Sequence, residues 1–204
     1  VKKMLFFKTG RFLDIACGTG DLSIIACQTH KDISTVGADF VYPMVTAARK
    51  KIVRRNLSSR IHLIQANAVQ LPLSENSFDV TAMAFGIRNI PQKKQALEEM
   101  VRVTVPEGQI MILEMTFIQN RFFKLAYYIY LNFLLPLIAK FFSKNAAAYY
   151  YLADSIMNFP SPEEFAAFME RAGINDVKIY PRTFGITCLY VGSKPADDNR
   201  SAKT

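Results

Sequence analysis

A small Gly-rich turn stands between an apolar run and a helical pattern near the start of this 204-residue chain. The run Phe12–Ala16 leads into the letters C-G-T-G-D (residues 17–21), an order that predicts a strand, a tight turn and a helix. Glycine lets the backbone approach a ligand where a Cβ would collide, and a helix N-terminus presents unpaired N–H groups. Asp39 ends a second apolar strand, where a carboxylate accepts hydrogen bonds from ribose hydroxyls. Together these features predict a bound nucleoside cofactor.

The charge around this turn bears on which cofactor binds. Dinucleotide sites favour G-x-G-x-x-G/A, and Ser23 at the third small position is a partial match, so spacing alone leaves a nicotinamide cofactor open. Asp14 and Asp21 would repel a pyrophosphate, whereas S-adenosylmethionine has no phosphate and carries a sulfonium and an ammonium. The sequence therefore favours S-adenosylmethionine. The predicted cofactor contacts in this part of the chain are Asp14, Gly18, Thr19, Gly20, Asp39 and Phe40.

Composition bounds the class of protein. Half of the residues are apolar, enough for the core of one domain with an insertion. Three cysteines without a C-x-x-C pair, and only two histidines, argue against a disulfide framework and against a metal site, and they fit a reducing compartment. The apolar residues 4–7 are far too few for a signal peptide. We therefore expect a cytoplasmic protein without a metal.

Strand and helix patterns alternate through the first part of the chain. Strands are predicted at 11–16, 33–38, 61–65, 78–85 and 109–115, with helices at 21–29, from Pro43 to about Asn56 and from Pro91, and a turn at Val105–Gly108. Such alternation predicts a parallel sheet with helices on both faces, and ligands bind outside the carboxyl ends of its strands. Gly18–Asp21, Asp39, Asn67 and Phe85–Asn89 fall at those ends, so we expect them to converge on one crevice.

The end of the chain changes character. Ser161 and Glu164 form a predicted capping box with Pro162 at the first helical position, and the helix ends at Gly173. Strands at 175–181 and 184–192 follow, and their tight connection makes them antiparallel. A parallel sheet finished by an antiparallel hairpin predicts the Rossmann-like fold of class I S-adenosylmethionine-dependent methyltransferases. We expect a single domain over 1–196 and a polar, disordered tail over 197–204.

A very apolar and aromatic insertion is predicted at about 117–155. Its uncharged run from Leu125 to Ala139 is fifteen residues long, and a membrane-spanning helix needs about twenty. We expect two helices broken near Pro136 that form an apolar lid over the crevice, with a buried core helix as the alternative. Such a lid would accept a lipidic substrate and contact a membrane surface.

Several motifs together resemble the ubiquinone/menaquinone biosynthesis C-methyltransferases (UbiE/MenG). They are L-D-I-A-C-G-T-G-D, A-F-G-I-R-N and Y-L-A-D-S-I, and the similarity runs from about Gly10 to Pro195. The resemblance implies S-adenosylmethionine-dependent C-methylation of a polyprenylated quinol ring, either demethylmenaquinol or 2-polyprenyl-6-methoxy-1,4-benzoquinol. It also implies that Asn67 and Ala68 lie against the adenine. Ala84 stands where the family commonly has a Ser that contacts the cofactor.

Methylation of a ring carbon requires that a ring hydroxyl lose or share its proton. We expect Arg88 to stabilise the phenolate that results and Asn89 to orient the hydroxyl; the alternative for Arg88 is a surface salt bridge. Tyr151 and Asp154 are further candidates for ring contact or proton acceptance, and Asp154 could equally cap the backbone at Met157 or Asn158.

The net charge of +8 leaves other partners to consider. A basic balance indicates nucleic acid, an anionic membrane surface or a merely solvated face. The [D/N]-P-P-[Y/F] motif of amino-group methylases is not found after strand four, and the aromatic residues are not interleaved with basic ones, so we expect no nucleic acid partner. The expected partner is a lipid quinol at the inner face of the membrane, and a homodimer stays open. The alternatives are a methyltransferase acting on another small molecule or on a nucleic acid, or an inactive quinone- or lipid-binding relative.

Overall fold

The computed structural model describes residues 1–117, 125, 128–129 and 146–196, with the backbone alone for 146–150. The strands in this part of the chain are β1 (Arg11–Ile15), β2 (Ser34–Asp39), β3 (Ile61–Gln65), β4 (Phe78–Ala84), β5 (Thr104–Met115), β6 (Asn175–Arg182) and β7 (Thr187–Ser193). They form one sheet in the order β3-β2-β1-β4-β5-β7-β6. The first five pair in parallel, and β7 runs antiparallel to both β5 and β6. The predicted fold class is therefore confirmed.

Helices cover both faces of this sheet. They are α1 (Asp21–Thr29), α2 (Tyr42–Arg54), α3 (Lys93–Val103), α4 (Ala146–Met157) and α5 (Pro162–Arg171), with short 3-10 turns at Ile87–Asn89 and Thr183–Gly185. Neighbouring residues of β1 bury themselves on opposite faces because side chains alternate along a strand. Phe12 joins the core beneath α1 and α2, whereas Leu13 joins the core beneath α3 and α5.

Two acidic side chains explain how local elements are fixed. Asp79, fully buried in β4, accepts hydrogen bonds from the backbone N–H groups of Lys8 (3.0 Å), Thr9 (2.9 Å) and Gly10 (2.6 Å), which sets where β1 begins. At the start of α5 the Ser161 side chain accepts from the Glu164 N–H while Glu164 Oε2 accepts from the Ser161 N–H (2.9 Å). The predicted capping box is confirmed.

The structure differs from the sequence pattern at two connections. The predicted turn at Val105–Gly108 is instead an irregular part of β5. Within it, Glu107 takes a left-handed φ of 66° and the register with β4 shifts. This irregularity lets the strand continue: the Glu107 N–H donates to Lys194 O (3.1 Å) and the Lys194 N–H donates to Gly108 O (2.9 Å). The β6–β7 connection is a 3-10 turn rather than a two-residue link.

The predicted insertion is described only in part. Helix α4 is its last segment, and its Ala153 and Ile156 pack with Met115 at the end of β5. Pro136, near which the predicted lid breaks into two helices, and most of the run from Leu125 to Ala139 lie outside the described residues, as does the tail 197–204. Within the described ranges, no helix combines the length and apolar character that crossing a bilayer requires.

Candidate active site

The carboxyl ends of β1, β2, β3 and β4 open onto a cavity of about 910 Å³. The predicted convergence is found there, because its wall includes residues from all four of these ends. Of the predicted site residues, those lining the cavity are Asp14, Gly18, Asp39, Phe40, Asn67, Ala68, Ala84 and Asn89. Thr19, Gly20, Arg88, Tyr151 and Asp154 do not line it.

Asp39 is held rigidly at the tip of β2. Its Oδ2 accepts a hydrogen bond from the Gly18 N–H and its Oδ1 accepts one from the Val41 N–H, both at 2.8 Å. The side chain is only 8% exposed yet lines the cavity. Because each carboxylate oxygen can accept more than one hydrogen bond, Asp39 can still accept from two hydroxyl groups of a ligand.

The two glycines of the turn have different roles. Gly18 has a φ of 53°, and a Cβ built on it would meet no atom within 4 Å, so its backbone lies open toward the cavity. Gly20 has a φ of 79°, and a Cβ there would lie 3.2 Å from the Ala48 Cβ. Gly18 therefore provides the close approach to a ligand, whereas Gly20 lets α1 pack closely against α2.

Thr19 faces away from the cavity, toward α2. Its Oγ1 donates to Asp21 Oδ2 (2.9 Å) and accepts from Lys51 Nζ (2.7 Å), which also donates to Asp21 (2.8 Å). The hydrogen bonds from Lys51 and Thr19 hold the pKa of Asp21 below its ordinary value. The Asp21 charge is thereby paired within the protein, and the Thr19 hydroxyl braces the outer face of the turn.

Asp14, in β1, is the most deeply buried acid of the cavity wall. Its Oδ2 accepts from the Ser23 N–H (3.0 Å) and from the Ser23 hydroxyl (2.6 Å). Burial raises the pKa of Asp14 from 3.8 to about 7, although the Ser23 hydrogen bonds act in the opposite direction. Burial also raises the pKa of the neighbouring Cys17 thiol, and Asp14 and Asp39 add to the effect, so this thiol stays protonated.

Phe40 after β2 and Asn67 after β3 line the same cavity. Asn67 Oδ1 accepts from the Val69 N–H (3.2 Å), which fixes the loop that also presents Ala68. The Phe40 ring is 68% exposed and lies at the cavity rim. An exposed ring beside a fixed amide suits a planar base, because a base stacks on an aromatic face and its edge accepts hydrogen bonds.

Arg88 turns away from the cavity and into the protein. Its Nη1 donates to Glu114 Oε1 and to Phe85 O (3.1 Å), and its backbone N–H donates to Glu114 Oε2 (3.2 Å). Its side chain is 11% exposed and that of Glu114 is fully buried. Glu114 was not among the predicted site residues, although an acid inside the apolar run I-M-I-L-E-M indicates a buried carboxylate that needs a partner.

Asn89, one residue further on, does reach the cavity and meets α4. Tyr151 Oη donates to Asn89 Oδ1 (3.1 Å), so two predicted residues from distant parts of the chain are in contact. Asp154 is exposed, and its Oδ1 accepts from Asn158 Nδ2 (2.8 Å). It thus binds the Asn158 side chain at the end of its own helix.

These residues fit a cationic nucleoside cofactor. Gly18 leaves an open cradle, Asp39 offers acceptors for ribose hydroxyls, and the buried Asp14 places a potential negative charge at the wall. The cavity volume of about 910 Å³ also leaves room for a second molecule beside the cofactor.

Known proteins share both the sequence and the fold. UbiE of Geotalea uraniireducens (strain Rf4), a ubiquinone/menaquinone biosynthesis C-methyltransferase, is 40% identical over 195 residues, which cover 95% of this chain and 83% of that one. The demethylmenaquinone methyltransferase of Thermus thermophilus is 38% identical over 185 residues, covering 91% and 83%. A SAM dependent methyltransferase from Aquifex aeolicus has the same fold, with a TM-score of 0.63 at 20% identity over 92% of this chain and 84% of that one. Residues 1–194 match the model of the ubiE/COQ5 methyltransferase family, and the chain belongs to that family.

Proposed function

We propose that this protein methylates a ring carbon of a polyprenylated quinol, with S-adenosylmethionine as the methyl donor. The observation that carries the proposal is one cavity whose wall contains both the Gly18–Asp39 cradle and Asn89, the residue that Tyr151 contacts. Relatives whose names refer to ubiquinone, menaquinone and demethylmenaquinone support a quinol as the acceptor.

The cofactor side of the cavity would hold the nucleoside. Asp39 accepts the ribose hydroxyls, Gly18 allows the backbone to approach, and Asn67 with Ala68 lies along the base. When Asp14 is deprotonated, its carboxylate balances the positive charge of the cofactor. S-adenosylmethionine supplies an electrophilic methyl group when it is bound.

The acceptor side would orient the ring. Tyr151 occupies Asn89 Oδ1, so among the described residues the Asn89 Nδ2 hydrogens are left to donate to a ring oxygen. Donors aimed at a developing phenolate favour its formation, and the ionised oxygen places negative charge on the ring carbon that is methylated. Asp154 lies on the same helix as Tyr151, and we propose it as a secondary proton acceptor.

We further propose contact with an anionic lipid surface. The chain carries a net charge of +8, and exposed apolar side chains stand around the cavity rim, among them Phe40, Val41, Met44 and Phe85. A polyprenyl tail is stored in a bilayer, because each exposed CH₂ costs about 0.8 kcal/mol in water. The protein should sediment with anionic liposomes at low salt and be released at high salt, since basic residues bind such surfaces electrostatically.

The experiment supplies labelled S-adenosylmethionine with demethylated benzoquinols and naphthoquinols of short and long prenyl chains, and identifies the methylated product. The expected result is a carbon-methylated quinol, with turnover lost in Asn89→Ala. Lys94→Ala serves as a matched control because Lys94 makes an exposed ion pair with Glu98 away from the cavity. Binding of S-adenosylmethionine without methylation of any quinol would refute the proposal, as would methylation of a nucleic acid instead.

A further inference from the structure

The pair formed by Glu114 and Arg88 sits inside the wall of the proposed active site and touches the cavity with neither side chain. Glu114 accepts hydrogen bonds from the Arg88 N–H, the Arg88 guanidinium and the Met115 N–H (2.8 Å). A buried carboxylate that accepts from three donors, one of them cationic, is held in one position at the end of β5.

The geometry links this pair to one specific turn. Arg88 Nη1 also donates to the carbonyl of Phe85, so the guanidinium and the Arg88 N–H tie both ends of the segment Phe85–Arg88 to Glu114. Phe85 has a left-handed φ of 57°, an unfavourable conformation for a bulky residue that surrounding contacts must maintain. The turn has little freedom on its other side, because a Cβ on Gly86 would lie 2.7 Å from the Ala16 Cβ.

Stability alone is a poor explanation for such a pair. A buried ion pair is often no more stabilising than apolar side chains of similar volume, since both charges must be taken out of water. A pair with fixed geometry can instead specify one arrangement of the backbone. Here that arrangement directs Phe85, Gly86 and Asn89 into the cavity wall while Arg88 points away.

We propose that Glu114 is a positioning residue, which holds Arg88 and through it the Phe85–Asn89 turn, so that Asn89 meets Tyr151 and the acceptor substrate. This inference rests on the proposed function and changes the role expected for Arg88 from contact with the phenolate to a clamp. Both partners of the Tyr151–Asn89 hydrogen bond are then positioned by the end of β5. The clamp holds Asn89, and the packing of Ala153 and Ile156 against Met115 holds α4, which carries Tyr151.

A second carboxylate–arginine pair provides a matched control. Glu99 Oε2 accepts from the Leu71 N–H (2.6 Å) and Glu99 binds Arg102, which donates to Leu71 O (3.0 Å) and Leu73 O (2.8 Å). The contacts are of the same kind and the clamped segment is again a loop, but this pair is more exposed and none of these four residues lines the cavity.

The test compares Glu114→Gln, the double variant Arg88→Met/Glu114→Leu, and the control Glu99→Gln. Amide exchange is followed at Asn89 and Ile90, whose acceptors Gly86 O and Ile87 O lie within the turn itself. In both Glu114 variants exchange at these amides should rise by about tenfold or more, because the turn opens more often. Turnover number should fall by about tenfold or more while the dissociation constant for S-adenosylhomocysteine stays within about threefold.

The double variant separates positioning from folding, since it replaces the charges with apolar groups that keep the core filled. If it retains wild-type exchange at Asn89 and Ile90, the pair only fills the core and the inference is wrong. Loss of S-adenosylhomocysteine binding in proportion to turnover in Glu114→Gln would also overturn it. If the wild type methylates no quinol, the proposed function fails, and the exchange measurement still decides the role of Glu114.

Discussion

The two sides of the cavity are built in different ways. On the cofactor side, the key hydrogen bonds lie within the unit formed by β1, α1 and β2 and the residues just after it: Asp39 fixes Gly18 and Val41, and Asp14 binds Ser23. On the acceptor side, Arg88 depends on Glu114, and Asn89 meets Tyr151 on a helix that follows β5. The first side is built on one βαβ unit, to which the loop after β3 adds Asn67 and Ala68, whereas the second requires β4, β5 and α4 to assemble correctly.

This difference makes the two sides separable. A change on the acceptor side should alter turnover and leave cofactor binding nearly intact, because the contacts of Asp39 and Gly18 do not pass through β5. A change on the cofactor side should show the opposite pattern. Measuring turnover and cofactor affinity together therefore tests the comparison directly.

The largest effect is expected for Arg88→Ala. It leaves Glu114 buried without its cationic partner, which should cost about 3–5 kcal/mol of the free energy of unfolding. Turnover should fall by about a hundredfold because the turn that presents Asn89 is released. Denaturant unfolding and steady-state kinetics measure the two effects, with Arg102→Ala as the control for loss of an arginine clamp elsewhere. A parallel collapse of S-adenosylhomocysteine affinity, in protein shown to be folded, would mean that the two sides are not separable.

The next effect concerns Asp14, whose pKa is about 7 in the folded protein against an ordinary value of 3.8. The folded state therefore holds a proton between these values that the unfolded chain has released. The stability contributed by protonated Asp14 is present below pH 4 and is lost as the pH rises through 7, by an amount on the order of a few kcal/mol. The free energy of unfolding of the wild type should thus fall relative to that of Asp14→Asn between pH 4 and 7. A constant difference across that range would contradict the burial of this group.

Asp39→Ala should weaken S-adenosylmethionine and S-adenosylhomocysteine binding by about tenfold or more, since each charge-assisted hydrogen bond to a hydroxyl contributes about 1.5–3 kcal/mol. Calorimetry measures the affinities, and turnover at saturating cofactor should change far less. Asp32→Ala is a suitable control, because Asp32 lies after α1 and outside this cavity. Wild-type protein that binds NAD rather than either of these cofactors would disprove the assignment.

The fold and the cofactor side could be predicted because their signals are local. Apolar strands that end in small or acidic residues predict that Gly18 and Asp39 lie at strand ends, and a parallel sheet brings those ends together. The acceptor side could be predicted only in part. Asn89 was placed at the crevice by its position after β4, and Tyr151 was identified through a resemblance. The partner of Arg88 instead depends on the pairing of β4 with β5, which no local pattern of residues predicts.

Thr19 shows a further limit, because spacing does not determine which face of a turn a side chain takes. The sequence placed Thr19 among the cofactor contacts, whereas the structure directs its hydroxyl to Asp21 and Lys51.

The smallest effect is therefore expected for Thr19→Val, which removes the hydroxyl but keeps the shape: affinity for S-adenosylhomocysteine should change by less than about threefold. The loss of a brace for Lys51 should appear instead as a slightly lower melting temperature. If Thr19→Val weakened binding as much as Asp39→Ala does, Thr19 would belong to the cofactor contacts, and this part of the cofactor side would depend on a rotation of its side chain toward the cavity.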